Sequence, residues 1–260
     1  MFLAFFLFAL VSFTSASFAG SDIPKTDISK GNGAKAGQGG VFLSEDFGNL
    51  DGWVPFPLFK GKKCTIYTPA VENGRKCLKA QSDCSASALA LNRQFDVYKY
   101  PVLRWKWKIT AVYPNGDIEK NKFNDAPARL YVLFRYNPKK AGFFTRLKYS
   151  IAKKIYGMYP PQSGLCYVWA DKPYKKNILT SPAWDRSKNI VLEAGATHLN
   201  EWREERVNIL DDYREAFGKD PPHMAVLAIM DSSQNTCGQS VSYFGDLEIT
   251  SGKGQVASNK

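Results

Sequence analysis

Six residues stand at alternate positions of segments that read as strands: Lys106 and Lys108, Arg129 and Tyr131, Tyr167 and Trp169. That mixture suits a sugar. Aromatic faces stack on the C–H surfaces of a ring, and charged or planar groups bond its hydroxyls. Arg129 offers a fork that matches a carboxylate, so an acidic sugar would gain most. The reading needs all six on one sheet face. Its competitor has Trp169 and Tyr131 packing beneath a helix and Arg129 pairing with Asp125.

Acid–base chemistry has fewer candidates. His198 and His223 are the only histidines, which excludes a histidine-rich zinc site. Neither a G-x-S-x-G elbow nor an H-E-x-x-H pair occurs. Glu204, Glu205, Asp211 and Asp212 could supply a carboxylate pair for glycoside hydrolysis. Beside Arg203, Arg206 and Arg214 they would equally form a surface ion-pair network. Cys64, Cys77, Cys84, Cys166 and Cys237 include no C-x-x-C, so zinc-knuckle and thioredoxin-like readings have no support. Two bridges and one free thiol fit the count in an exported chain, with buried reduced cysteines as the alternative. Their pairing stays open.

The elements that must position these groups are mostly strands. Lys63–Thr68 and Lys76–Gln81 flank Asn73-Gly74, a hairpin signature. Val102–Thr110 alternates, with Leu103, Trp105, Trp107 and Ile109 on one face and Arg104, Lys106 and Lys108 on the other. Arg129–Tyr136 alternates likewise. Leu165–Ala170, Asn189–Ala194, Arg203–Ile209 and Val241–Thr250 are further strands. The apolar run Met224–Met230 predicts a central strand covered on both faces. Ala141–Tyr156 reads as a helix with Phe144, Leu147, Ile151 and Ile155 on one stripe and its basic residues largely away from it. Asp211–Phe217 reads as a short helix closed by Gly218. The pattern predicts a mostly β chain: a two-sheet antiparallel jelly-roll sandwich with one or two short helices.

The bulk numbers agree with one folded domain. The chain has 260 residues, 44% hydrophobic and 14% aromatic, which suffices for a real core. Residues 1–19 read as a signal peptide, with an apolar run and a Ser17-Phe18-Ala19 cleavage site, although no Lys or Arg precedes the run. Residues 20–40 read as a flexible linker, 41–250 as the folded body and 251–260 as a disordered tail. The expected location is periplasmic or secreted. The formal net charge of +11 favours anionic partners such as a polysaccharide or another envelope polymer. Nucleic acid is not expected, since export removes it. Membrane contact beyond the signal segment is not expected either, and the expected state is a monomer.

Several linked motifs resemble the DUF3047 family, an exported bacterial domain of unknown function. They are Leu103-x-Trp105-x-Trp107-Lys108, Asp125-x-Pro127-x-Arg129-x-Tyr131, the helix ending Ile155-Tyr156-Gly157, Tyr167-x-Trp169, Asn208, Asp212–Gly218 and Tyr243–Leu247. The likeness covers about Glu45 to Ile249. It implies a sandwich similar to jelly-roll carbohydrate-binding modules, an analogy of fold only. The family's loop after the penultimate strand is rich in Asp. Here Asp231-Ser232-Ser233-Gln234-Asn235-Thr236 keeps one carboxylate, which weakens a calcium reading there. Glu45, Asp46 and Asp246 form a second calcium position, with ordinary turn capping as the alternative. No cofactor is expected, and any calcium would be structural. The expectation is a non-catalytic module that binds carbohydrate or an envelope polymer. The alternatives are a glycoside hydrolase and a structural envelope protein.

Overall fold

The computed structural model describes residues 40–57, 62–156 and 159–252. The expected signal peptide, nearly all of the linker and the tail beyond Gly252 lie outside the described residues.

A tight turn and strict alternation begin the first sheet. Asn73 and Gly74 hold φ of 54° and 74°, the left-handed conformation a two-residue hairpin loop requires. They join β3 (Ile66–Glu72) to β4 (Arg75–Asp83), after β1 (Val41–Glu45) and β2 (Trp53–Pro57). Next come β5 (Ala86–Leu91), β6 (Phe95–Asp96), β7 (Val102–Ile109) and β8 (Ala126–Phe134). Helix α1 (Phe143–Tyr156) leads to β9 (Ser163–Ala170), β10 (Ile178–Thr180), β11 (Ser187–Ala194) and β12 (Arg203–Asn208). Helix α2 (Ile209–Phe217), β13 (Met224–Ser232) and β14 (Gln239–Thr250) end the body. The side chain of Asn208 accepts the Leu210 N–H at 3.1 Å to start α2, and Gly218 at φ 65° stops it.

One sheet has the order β12-β7-β14-β4-β3, with β1 also on β14. The other has the order β10-β11-β9-β8-β13-β5-β2, with β6 on β13. This is a jelly-roll-type sandwich, but it is not wholly antiparallel. β11 runs parallel to β9, because residues 171–186 supply the dozen or so residues that a parallel crossover needs. The apolar strand β13 lies centrally, between β8 and β5.

Alternation aims Leu103, Trp105, Trp107 and Ile109 of β7 at Leu130, Val132, Phe134, Leu165, Tyr167 and Trp169 of the opposite sheet, in one continuous core. The rings of Trp105 and Tyr167 lie 5.5 Å apart, and those of Trp107 and Trp169 6.0 Å apart.

One disulfide forms, Cys84–Cys237, rather than two; Cys64, Cys77 and Cys166 are free. Cys77 and Cys166 are buried on different sheets, and Cys64 is exposed. The bridge links residues 153 apart in sequence. Replacing both of its cysteines by serine is therefore expected to cost about 3–5 kcal/mol. The measurement is urea unfolding: the midpoint should fall, with a steeper slope because the chain without its cross-link unfolds further, and an unmoved midpoint would show that the bridge does not hold the fold.

Helix α1 is held by a face other than its apolar stripe. Its buried side chain is Tyr149, stacked on Tyr136 at 3.7 Å. The stripe of Phe144, Leu147 and Ile151 faces solvent instead.

Candidate functional site

A groove of about 1090 Å³ opens at one end of the sandwich, between α1 and the C-terminal end of α2. Four segments far apart in sequence build it. The end of β8 brings Arg135 and Tyr136, and the first turns of α1 bring Thr145 and Tyr149. The approach to β11 brings Asp185, Arg186 and Lys188. The end of α2 and the loop after it bring Tyr213, Phe217 and Lys219.

The walls mix rings and cations. Arg186 donates to the Tyr149 hydroxyl and lies 5.6 Å over that ring and 5.7 Å over Trp184. Lys188 donates to Thr180 Oγ1 at 2.7 Å and lies 5.7 Å over the Phe217 ring. Arg135 and Lys219 are exposed, and their side chains have no hydrogen bond or ion pair among the described residues. Of the two acids, Asp220 is already bound by Arg214 at 2.8 Å. The Tyr136 hydroxyl is buried without a partner among the described residues. Burial raises the phenols of Tyr136 and Tyr213 above their usual range, so both remain neutral donors at physiological pH.

The six residues expected to share one face are divided among three places. Tyr167 and Trp169 point into the core, where Tyr167 donates to Asp212 at 2.7 Å and Trp169 donates to the Gly195 carbonyl at 3.1 Å. Arg129 and Tyr131 lie on the opposite face of their sheet. Arg129 is 3% exposed and bonds Asn124 Oδ1 at 2.9 Å, not Asp125. Asp125 instead accepts the backbone N–H groups of Asn235 and Thr236, at 2.8 and 2.7 Å. Lys106 and Lys108 project from the outer face of the other sheet.

That outer face has its own aromatic platform, Trp202 and Tyr243, with ring centroids 6.3 Å apart. Its charges are spent internally. Lys108 is ion-paired with Glu72 and lies 4.8 Å over Tyr243, while Lys106 reaches Asp246 at 3.1 Å and Glu204 at 3.6 Å. The groove beside α1 keeps cations that have no partner among the described residues, which makes it the stronger site. Sequence periodicity could not find it, because Arg135, Tyr149, Arg186 and Lys219 belong to no common pattern.

The acids separate as well. Glu204 faces outward to Arg104 at 2.6 Å, whereas Glu205 faces inward and accepts from Trp107 at 3.1 Å. Adjacent strand residues point to opposite sides, so those two form no pair across a groove. Asp211 is exposed near Arg214 at 3.5 Å, while Asp212 is held by Tyr167. At the second calcium position each carboxylate already has a donor. Asp46 binds Lys76 at 3.1 Å, Asp246 binds Arg75 and Lys106, and Glu45 binds the Trp53 indole at 3.0 Å. Asp231, the one carboxylate of the segment Asp231–Thr236, lies at the end of β13, is buried and receives Tyr113, Ser240 and Ser242.

The family described as DUF3047, a protein of unknown function, matches residues 51–248. No curated protein matches the chain. Among solved structures it is similar to the family 11 carbohydrate-binding module of a cellulosomal cellulase of Clostridium thermocellum. The TM-score is 0.43 at 8% identity, over 81% of this chain and 94% of that one. It is also similar to the CBM27-1 module of Caldicellulosiruptor saccharolyticus, in complex with mannohexaose, at TM-score 0.35 and 10% identity over 80% and 96% of the two chains. The GH12 endoglucanase 3 of Trichoderma harzianum gives TM-score 0.40 and 12% identity over 80% and 96%. Likeness at this level says nothing of this chain's chemistry.

Proposed function

The chain belongs to the DUF3047 family, which has no assigned function, and we propose that it is an exported, non-catalytic module that binds an acidic carbohydrate or a similar envelope polymer in the groove beside α1. The observation that carries this reading is the coexistence, in one concave site, of half-buried aromatic rings, Tyr98 and Phe217, with Arg135 and Lys219, cations that have no partner among the described residues. A sugar ring packs against the half-buried rings of Tyr98 and Phe217, and the cations pair with its acidic groups. The orphan Tyr136 hydroxyl gains a partner when a ligand hydroxyl enters.

The test is a glycan array followed by calorimetry, with acidic and neutral glycans side by side. Arg135 and Lys219 hold nothing in the fold, so Arg135→Ala with Lys219→Ala should unfold as the wild type does. Affinity for acidic glycans should fall by about tenfold or more, the loss expected for two partly exposed ion pairs to a ligand. An array silent for every glycan, or a double variant that binds as tightly as the wild type, would overturn the proposal.

A further inference from the structure

Helix α1 is amphipathic, yet its apolar side is turned away from the protein. Phe143, Phe144, Leu147 and Ile151 are 73%, 83%, 52% and 52% exposed. They follow the i, i+3, i+4 spacing of a single stripe. A core-facing helix would bury that stripe. Here the helix is held by Tyr149, which stacks on Tyr136 and receives Arg186. Four large apolar side chains are therefore left with nothing to cover them among the described residues.

The charges around the stripe say what covers it. Arg146, Lys148, Lys153 and Lys154 are all exposed, and none has an ion-pair partner among the described residues. No acidic residue occurs from Asn137 to Gln162. A protein partner or a second copy of this chain would have to neutralise that basic rim, and this chain, at +11, repels its own copies. An anionic lipid surface supplies both parts at once. Its acyl boundary takes the phenylalanines and aliphatic side chains, and its headgroups take the lysines. No helix of the described residues is long and apolar enough to cross a membrane, which fits a helix that lies in the interface plane.

We infer that α1 is an interfacial helix that docks the domain on an anionic lipid surface through Phe143, Phe144, Leu147 and Ile151. Thr145 and Tyr149, on its other side, line the groove. Docking by α1 therefore sets the groove at headgroup level, where surface polymers are anchored. The inference stands on the exposed stripe and its basic rim, independently of what the groove binds.

The experiment is flotation of the full chain with phosphatidylcholine vesicles, with and without phosphatidylglycerol. The apolar N-terminal residues are common to every variant, so differences between variants belong to α1. Wild type should favour the phosphatidylglycerol vesicles by about tenfold or more, a preference weakened by salt. Phe143→Ser with Phe144→Ser and Leu147→Ser should lower that binding by about tenfold or more, since it removes most of the apolar contact. Lys148→Glu with Lys153→Glu and Lys154→Glu should abolish the lipid preference. All six positions are exposed, so circular dichroism and the unfolding midpoint should stay at wild-type values. Equal binding of wild type and the serine variant would overturn the inference. So would a dimer in sedimentation that the serine variant alone loses, which would assign the stripe to a second copy.

Discussion

Replacing Trp169 by alanine is expected to lower stability by about 3–5 kcal/mol, the cost of emptying a large buried aromatic site. Trp169 is 1% exposed, packs on Trp107 at 6.0 Å, and donates its indole N–H to the Gly195 carbonyl. Truncation leaves a cavity between the sheets and a carbonyl without its donor. Arg129→Ala should also destabilise strongly. It removes a buried cation that bonds Asn124 Oδ1 and offsets the nearby Asp125. Urea unfolding measures both effects. The contrast with Arg135→Ala and Lys219→Ala carries the information, since those two should unfold at the wild-type midpoint while binding weakens. A Trp169→Ala protein that unfolds like the wild type yet loses glycan binding would return Trp169 to a ligand-stacking role.

The residues that define single elements were legible. Alternation in β7 sorted Trp105 and Trp107 from Lys106 and Lys108 correctly, Asn73-Gly74 marked the hairpin, and Gly218 marked the end of α2. Parity between strands was not legible. Within β8 the sequence says that Arg129 and Tyr131 share a face, and within β9 that Tyr167 and Trp169 do. Which faces coincide depends on register. Tyr167 lies opposite Leu130, and Cys166 opposite Tyr131, so the two pairs end on opposite sides of the sheet. A shift of one residue would have put all four together, and nothing local in either strand fixes that shift. The same holds for the parallel β9–β11 pair, which follows from the path of residues 171–186 rather than from a pattern in either strand. The orientation of α1 was not legible for a different reason. Periodicity identifies an apolar stripe without saying what it meets, and here Tyr149 on another face makes the contact with the protein.

The second large effect is a fall in stability as pH rises from about 5 to about 8. Asp231 is fully buried. Tyr113 donates to it at 2.8 Å, and Ser240 and Ser242 donate at 3.0 Å each. Burial outweighs these donors and raises its carboxyl to about 8. Asp171 is raised to about 7, again chiefly by burial; the Tyr113 N–H occupies one of its oxygens, and the other is unpartnered and free to carry the proton. Glu205 rises to about 7 through burial and then the nearby Glu193. In the unfolded chain all three ionise near pH 4. Between that value and the folded one, the native state holds protons that the unfolded state has lost. The stabilisation is therefore complete below the unfolded pKa and disappears as pH rises through the folded value, at up to about 1.4 kcal/mol per pH unit for each fully buried carboxyl. Glu205, only partly buried, adds to the same trend by less. Asp231→Asn mimics the protonated form, so the variant should lose much of the slope and exceed the wild type in stability at the alkaline end. Stability that climbs from about pH 5 to about pH 8, or a variant with the wild-type slope, would refute the assignment. The ordinary acid limb remains separate. Burial alone would raise Asp117, yet Lys172 and Lys120 bring it down to about 2. Its contribution is lost only as pH falls from the unfolded value toward 2, outside the window in which Asp231 and Asp171 act.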